Sequence, residues 1–401
     1  MWQLKKAYYR SFQFVMKFAL SIFDWSEPEL LEGPGAVKRL PALIKAKGIS
    51  KVLVVTDKGL TGLHLLDGMY EKLDEAGVAY VVYDGTQPNP TIDNIEEARA
   101  LYLDNGCQAV IAFGGGSPMD CAKAAAARVT NPNISVRKMR GLLKVRHKPA
   151  ILFAVPTTAG TGSETTVAAV VSDPSTHEKN AINDPKLRPK YAVLDPELTL
   201  GLPPHITSTT GMDALTHAVE AYIGRSNVKS TEMYAEKAVK LIFQNLEKAY
   251  QNGKDIEARN NMLKASFYAG MAFTRAYVGY VHAIGHNLGG MYHIPHGLAM
   301  SVILPYVLEY YGSKAYFRLA RLAEMTGVLT IGSDEEKAKA FIEAIKEMNR
   351  RMNIQDGFTE IREDDLPIIV KRALKEANPL YPVPRIMNEA DCEAVIRRLM
   401  R

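Results

Sequence analysis

The sequence predicts two architectures in succession, an α/β domain with a parallel sheet and then an all-α domain. Three observations carry this. Short apolar runs of buried-strand type alternate with helical stretches up to about residue 200. Beyond about Ile206 such runs stop and long helical patterns take over. Between the two, Leu202-Pro203-Pro204-His205 breaks both periodicities. The expected division is therefore residues 1–24, 25–205 and 206–401.

Residues 1–23 stand apart. Gln3, Lys6, Arg10, Gln13, Lys17 and Ser21 recur every three or four positions, which makes a narrow basic stripe on an otherwise aromatic and aliphatic helix. No acidic residue occurs before Asp24. Arg10 and Lys17 interrupt the segment too often for a membrane span. The apolar run after Lys17 is too short for a signal peptide, and no small-residue cleavage site follows it. The expectation is a helix docked on its own body or a neighbouring subunit. A membrane-surface helix and a partner-docking helix, of the kind that delivers enzymes to microcompartments, are the alternatives.

After Glu32-Gly33-Pro34-Gly35 the alternation begins. Lys51–Thr56, Val78–Tyr83, Gln108–Phe113 and Ala150–Val155 read as strands, with Tyr191–Leu194 as a last one. His64–Ala76, Thr91–Asn105 and Cys121–Val129 read as helices, the second capped by Thr91. Asn131–His147, with several basic residues, reads as a solvated excursion. The later helices are Thr209–Gly224, Ser230–Asn252, Ile256–Thr274, Glu336–Met352 and Glu389–Arg401 among others.

Composition sets the outer limits. With 401 residues, 47% hydrophobic and 23% charged, the chain can bury two full cores. Its net charge of +5, without a basic stripe interleaved with aromatics in the body, makes no case for nucleic acid. Cys107, Cys121 and Cys392 are odd in number and far apart, which points to a reducing compartment and no disulfide framework.

Two stretches carry the chemistry. Gly279–Gly297 holds His282, His286, His293 and His296 among the nine histidines of the chain. His282 and His286 are four apart and share a helix face, as do Asp213 and His217 in Gly211–Tyr222. His296 lies between Pro295 and Gly297, a position suited to a loop. One carboxylate and several imidazoles on two helices suit a divalent first-row metal. By spacing alone, His286 and His282 are equally able to coordinate.

Two glycine-rich loops lie at the carboxyl ends of expected parallel strands, where open α/β sheets bind ligands. Gly114-Gly115-Gly116-Ser117-Pro118-Met119-Asp120 opens a helix, with Ser117 as its natural N-cap and Pro118 in its first turn. Helix-terminal N–H groups there favour phosphate. The second loop, Pro156–Glu164, is rich in threonine and glycine. Neither is the G-x-G-x-x-G fingerprint nor a Walker loop.

These motifs together resemble the iron-containing alcohol dehydrogenase family. Its Asp-x-x-x-His, G-x-x-H-x-x-x-H and P-H-G elements match Asp213/His217, Gly279–His286 and Pro295–Gly297, and GGGSP-x-D and TTAGTGSE occur in order. The resemblance implies a dinucleotide-binding domain followed by an all-helical metal domain. It implies that Asp213, His217, His282 and His296 bind Fe²⁺, with Zn²⁺ an alternative, and that His286 lies beside the metal as a proton relay. It places Asp57 at the adenosine ribose of NAD in preference to NADP, and Asn89 beside the cofactor. Gly115, Gly116, Ser117, Pro118, Met119 and Asp120 would hold the pyrophosphate. Thr157, Thr158, Thr166, Lys179, Leu198 and Leu202 would line the way to nicotinamide, and Phe273 and Tyr277 would face substrate. His293 is left as structural.

The implied reaction is hydride transfer between NAD(H) and a small alcohol or aldehyde, in a cytoplasmic homodimer or larger homo-oligomer. A glycerol or polyol dehydrogenase, or a dehydroquinate-synthase-like enzyme, shares the metal-plus-NAD plan. A scaffold protein with a vestigial site is the reading from another class.

Overall fold

The computed structural model describes residues 1–19, 22–175 and 178–401. The chain forms two compact units. One comprises Asp24–Gly201 with Lys254–Leu263, the other Met1–Phe23, Leu202–Gly253 and Lys264–Arg401.

The first unit is built on a six-stranded, wholly parallel sheet. Its strands are β1 (Glu29–Glu32), β2 (Lys51–Val55), β3 (Ala79–Tyr83), β4 (Ala109–Gly114), β6 (Ile151–Pro156) and β9 (Tyr191–Leu194). Their order is β1-β9-β6-β4-β2-β3. β4 and β6 lie side by side, with Ala109 opposite Ile151 and Gly114 opposite Pro156, so the two glycine-rich loops leave the sheet together. A three-stranded sheet follows the order β5-β8-β7, from β5 (Gly141–Leu142), β7 (Ala168–Asp173) and β8 (Glu178–Asn183).

Apart from the edge strand β1, the strands of the main sheet are largely apolar runs because helices cover both faces. α2 (Ala36–Ala46) and α4 (Asp67–Glu75) supply Leu40, Ile44, Met69 and Leu73 to one core, with Val52, Val54, Ile111 and Phe153. α5 (Ile92–Asp104) and α6 (Gly116–Thr130) supply Ile95, Ala98, Cys121 and Ala125 to the other, with Leu53, Val110 and Leu152. Thr91 caps α5 in a capping box with Asn94.

Three expectations need correction here. The helix expected over His64–Ala76 is interrupted: α3 (Lys58–Gly62) precedes α4, and His64 between them adopts φ 56°. Ser117 is not the cap of α6; Gly115 is, and Ser117 lies in the first turn. Asn131–His147 is not simply solvated. It contains α7 (Val136–Met139) and β5, and it buries Val136, Met139 and Val145 in the sheet core. β1 and β5 go unseen in the sequence because they are short, while β7 carries an apolar run, Val167–Val171, that the sequence reading misses.

The second unit is helical. Its elements are α1 (Trp2–Ala19), α8 (Pro204–Ile223), α9 (Lys229–Gln251), the later turns of α10 (Ile256–Ala276), α11 (Tyr280–Tyr292), α12 (His296–Tyr311), α13 (Tyr316–Thr326), α14 (Asp334–Arg351), α15 (Leu366–Ala377) and α16 (Glu389–Arg397). α8 is buried along nearly its whole length, packed by α9 and α12, while α11 packs on α12 and α15. α8 and α12 meet closely at Gly297, where a Cβ would lie 2.6 Å from the Thr209 carbonyl oxygen. A side chain there would push the two helices apart.

α1 is held on this unit by polar side chains. Arg10 donates to the carbonyls of Val383 and Pro384 at 2.8 and 3.0 Å. Gln13 donates to those of Pro379 and Tyr381 at 3.0 and 2.8 Å, and Lys17 reaches the Arg225 carbonyl at 3.4 Å. Among the described residues, no helix is long and apolar enough to cross a membrane.

Candidate metal centre and cofactor cradle

α8 brings Asp213 and His217 to one face, as their spacing requires. α11 supplies His282 one turn before His286. His293 ends α11 in the left-handed region at φ 57°, and Pro295 then starts α12 at His296. The Asp213 Oδ1 lies 3.8 Å from His217 Nδ1, 3.9 Å from His282 Nε2 and 3.3 Å from His296 Nε2. One ligand atom from each of Asp213, His217 and His282 falls within 4.8 Å of the others.

Asp213 Oδ1, His217 Nδ1 and His282 Nε2 are buried and have no hydrogen-bond partner. A buried polar atom without a partner costs about 1–3 kcal/mol. Three of them converging on one point is an arrangement that a bound cation relieves. Burial holds His217 down at about 3 and His282 well below the ordinary histidine value, so both are neutral at pH 7, the form that ligates a metal. Burial alone would raise Asp213; charge interaction with His217, His296 and His282 pulls it the other way, below the usual carboxylate range. The donor set of one carboxylate and imidazole nitrogens fits Fe²⁺ or Zn²⁺.

A carboxylate behind the cluster fixes one ligand. Glu220 Oε2 lies 2.6 Å from His282 Nδ1, and Glu220 also accepts the N–H groups of Gly279 and Val281, each at 2.8 Å. With Nδ1–H donated to Glu220, His282 presents Nε2 to the cluster. Burial raises the Glu220 carboxyl to about 7 against those donors. His286 is oriented similarly, with Nδ1 2.7 Å from Glu376 Oε1, which also accepts the Tyr381 hydroxyl at 3.0 Å. The His286 ring stacks on His296 at 5.3 Å between centroids. Phe273 stacks on His217 at 4.1 Å. Tyr277 lies just past α10 at φ 67°, its phenol raised by burial to about 12.

In the α/β unit the two glycine-rich loops meet. Gly114, at φ +147°, has no room for a side chain: a Cβ would lie 2.7 Å from Pro118 Cγ. A Cβ on Gly115 would lie 3.3 Å from Thr158 Oγ1, and one on Gly116 would lie 3.1 Å from Thr161 Cγ2. Asn89, left-handed at φ 59°, donates its N–H to Ser117 Oγ at 3.2 Å. Asp57 caps α3, Oδ1 accepting the Leu60 N–H at 3.0 Å, which leaves Oδ2 for a ligand.

Several residues expected at the cofactor are tied into the framework of the α/β unit. Met119 is buried in the sheet core and its N–H donates to the Gly115 carbonyl. Pro118 is buried in the first turn of α6. Both oxygens of Asp120 are taken, by the Ser163 hydroxyl at 3.1 Å and the Val170 N–H at 3.0 Å. Thr166 is buried, its hydroxyl 2.7 Å from Lys123 Nζ. Thr157 is buried too and donates its N–H to Gly114. Leu198 joins the core under the sheet. The Lys179 side chain lies outside the described residues, and Leu202 stands where the two units divide.

Glu220, Glu376 and Lys123 escape the sequence reading. Glu220 carries a usable signal, being seven after Asp213 and three after His217, on the same helix face. Glu376 has none, since it is 90 positions from His286. Lys123 sits in an alanine-rich helix that gives no hint of a buried ammonium.

Comparison with known proteins agrees with both halves. Residues 28–196 match the family described as iron-containing alcohol dehydrogenase, and residues 207–400 match the C-terminal part of the Fe-containing alcohol dehydrogenase family. Alcohol dehydrogenase 4 of Schizosaccharomyces pombe is 38% identical over 358 residues, 88% of this chain and 84% of that one. The 1,3-propanediol dehydrogenase of Citrobacter freundii is 37% identical over 385 residues, 94% of this chain and 98% of that one. A solved 1,3-propanediol oxidoreductase superposes with a TM-score of 0.91 at 35% identity, over 94% of this chain and 100% of that one.

Proposed function

Because the chain belongs to the iron-containing alcohol dehydrogenase family, it is a metal-dependent, NAD-linked oxidoreductase of alcohols and aldehydes, and we propose that Asp213, His217, His282 and His296 hold its metal as Fe²⁺. The observation that supports this set is the convergence of three buried, unpartnered ligand atoms, with His296 Nε2 beside them. When bound, the cation supplies a Lewis acid for the substrate oxygen. The nicotinamide of NAD(H) supplies the hydride chemistry.

The residues of the chain do the rest. Glu220 holds His282 in one tautomer. Glu376, with Tyr381 behind it, holds His286 so that Nε2 can take the proton of an alcohol or return it to an aldehyde oxygen. Phe273, stacked on His217, and Tyr277 keep the surroundings apolar. Gly115, Gly116 and Ser117, at the start of α6, offer backbone N–H groups to a pyrophosphate. Thr158 faces Gly115 from the second loop. Asp57 Oδ2 is the acceptor for a ribose hydroxyl, and its charge disfavours the 2′-phosphate of NADP. The substrates are short: a small alcohol or diol in one direction and its aldehyde in the other.

The test is NADH oxidation with a panel of short aldehydes, beside metal analysis of protein purified without oxygen. One metal ion per chain and turnover with C2–C4 aldehydes are expected. Full turnover in a metal-free preparation would overturn the reading.

A further inference from the structure

α1 turns buried Gln13 and half-buried Arg10 toward the body beside half-buried Trp2, Tyr9, Phe12 and Met16, and it leaves a second set of large apolar residues facing out. Arg10, Gln13 and Lys17 reach the carbonyls of residues 379–384 and of Arg225. On the other side Leu4, Tyr8, Phe14 and Val15 are 75, 59, 75 and 62% exposed. At 100° per residue, Leu4, Tyr8, Ser11 and Val15 fall on one narrow stripe, with Ala7 and Phe14 beside it. Such a run of large exposed apolar side chains on one helix is a docking surface by its size.

The charge on the helix decides what covers it. Lys5, Lys6, Arg10 and Lys17 are its charged side chains, and no carboxylate occurs from Met1 to Phe23. Lys5 flanks the apolar stripe and is exposed, while Lys17 is turned to the Arg225 carbonyl on the body. A second copy of the helix offers no carboxylate to pair with Lys5. A surface of anionic lipid headgroups complements the same flank while the apolar stripe enters the acyl boundary. The helix does not qualify as a span, so the contact is shallow. We propose that the outward face of α1 docks the enzyme on an anionic lipid surface. Mounting through Arg10 and Gln13 orients that face outward before any lipid is met, so no refolding of α1 is required.

The experiment is co-sedimentation of the full-length protein with vesicles. One set is phosphatidylcholine alone; the other is equal parts phosphatidylcholine and phosphatidylglycerol. Binding to the anionic vesicles is expected to exceed binding to neutral ones by about tenfold or more, and to fall at high salt. The variant Leu4→Ser/Phe14→Ser/Val15→Ser should lose binding while retaining wild-type turnover in solution. Lys5→Gln, which leaves the apolar face intact, should weaken anionic binding by about fivefold, the share of one lysine near the surface. Equal binding to both vesicle types, or none to either, overturns the proposal. So does a concentration-dependent oligomer, abolished by the triple substitution, in a protein that ignores vesicles: the occupant would then be a second copy.

Discussion

Each unit contains a buried polar cluster, and the two differ in one respect. In the helical unit, Asp213, His217 and His282 each leave a ligand atom without a partner. In the α/β unit, Lys123 is equally buried, yet its ammonium has three acceptors: Ser163 Oγ at 2.9 Å, Thr166 Oγ1 at 2.7 Å and the Ala168 carbonyl at 3.0 Å. Ser163 passes the chain on to Asp120. Burial still pulls the lysine down to about 8. The exception there is Glu164, whose Oε1 is unpartnered and whose carboxyl burial raises to about 7. A buried group with all its partners inside the chain is framework, fastening the second glycine-rich loop to α6. The three ligand atoms short of partners in the helical unit also converge, which is where something from outside can complete them. Residue type does not make that distinction. Asp120 and Asp213 are both aspartates on helices behind a motif, and only the second is left with an open oxygen.

Substitutions can break this contrast, beginning with the largest effect. His217→Ala should abolish metal binding and nearly all turnover while leaving the fold intact. Metal analysis with circular dichroism reads both, and metal retained at full stoichiometry would refute the ligand assignment. His286→Ala should keep its metal and lose about 100-fold or more in kcat, the usual share of a general acid–base group. Loss of metal instead would make His286 a ligand. Glu220→Gln should lower metal affinity by about 10- to 100-fold, as removal of a ligand's hydrogen-bonded carboxylate generally does. Titration with a chelator measures it, and unchanged affinity would reduce Glu220 to a backbone clamp.

Two further substitutions sharpen the contrast from the α/β side. Lys123→Met should cost about 2–4 kcal/mol of stability, since it strands several buried polar partners at once. Metal content should stay at the wild-type level. Urea unfolding beside metal analysis tests this, and a variant as stable as the parent would mean the cluster fastens nothing. Asp57→Gly has the smallest expected effect, a shift of about tenfold in the NAD/NADP preference, the scale of like-charge repulsion in a partly screened site. Steady-state kinetics with both cofactors decide it. The cap on the Leu60 N–H is lost too, so a fall in stability with no change in preference would leave Asp57 with the capping role alone.

Some of this was determined by the sequence itself. The βα alternation and the helical second half are written in apolar periodicity, which is a property of near neighbours along the chain. So are the pairs Asp213/His217 and His282/His286, because four residues span one turn. The glycine turns at the ends of β4 and β6 follow from local sterics in the same way. The tertiary structure decided the rest, because each remaining feature joins residues far apart in sequence. His286 meets Glu376 across 90 positions, and Lys123 meets Thr166 across 43. Which of two aspartates stays open depends on whether a distant hydroxyl or N–H arrives to close it. The orientation of α1 is of the same kind. Its stripe pattern predicts an amphipathic helix and would ordinarily bury the apolar side. Carbonyls of residues 379–384 instead hold Arg10 and Gln13 inward, and Leu4, Tyr8 and Phe14 stay on the outside.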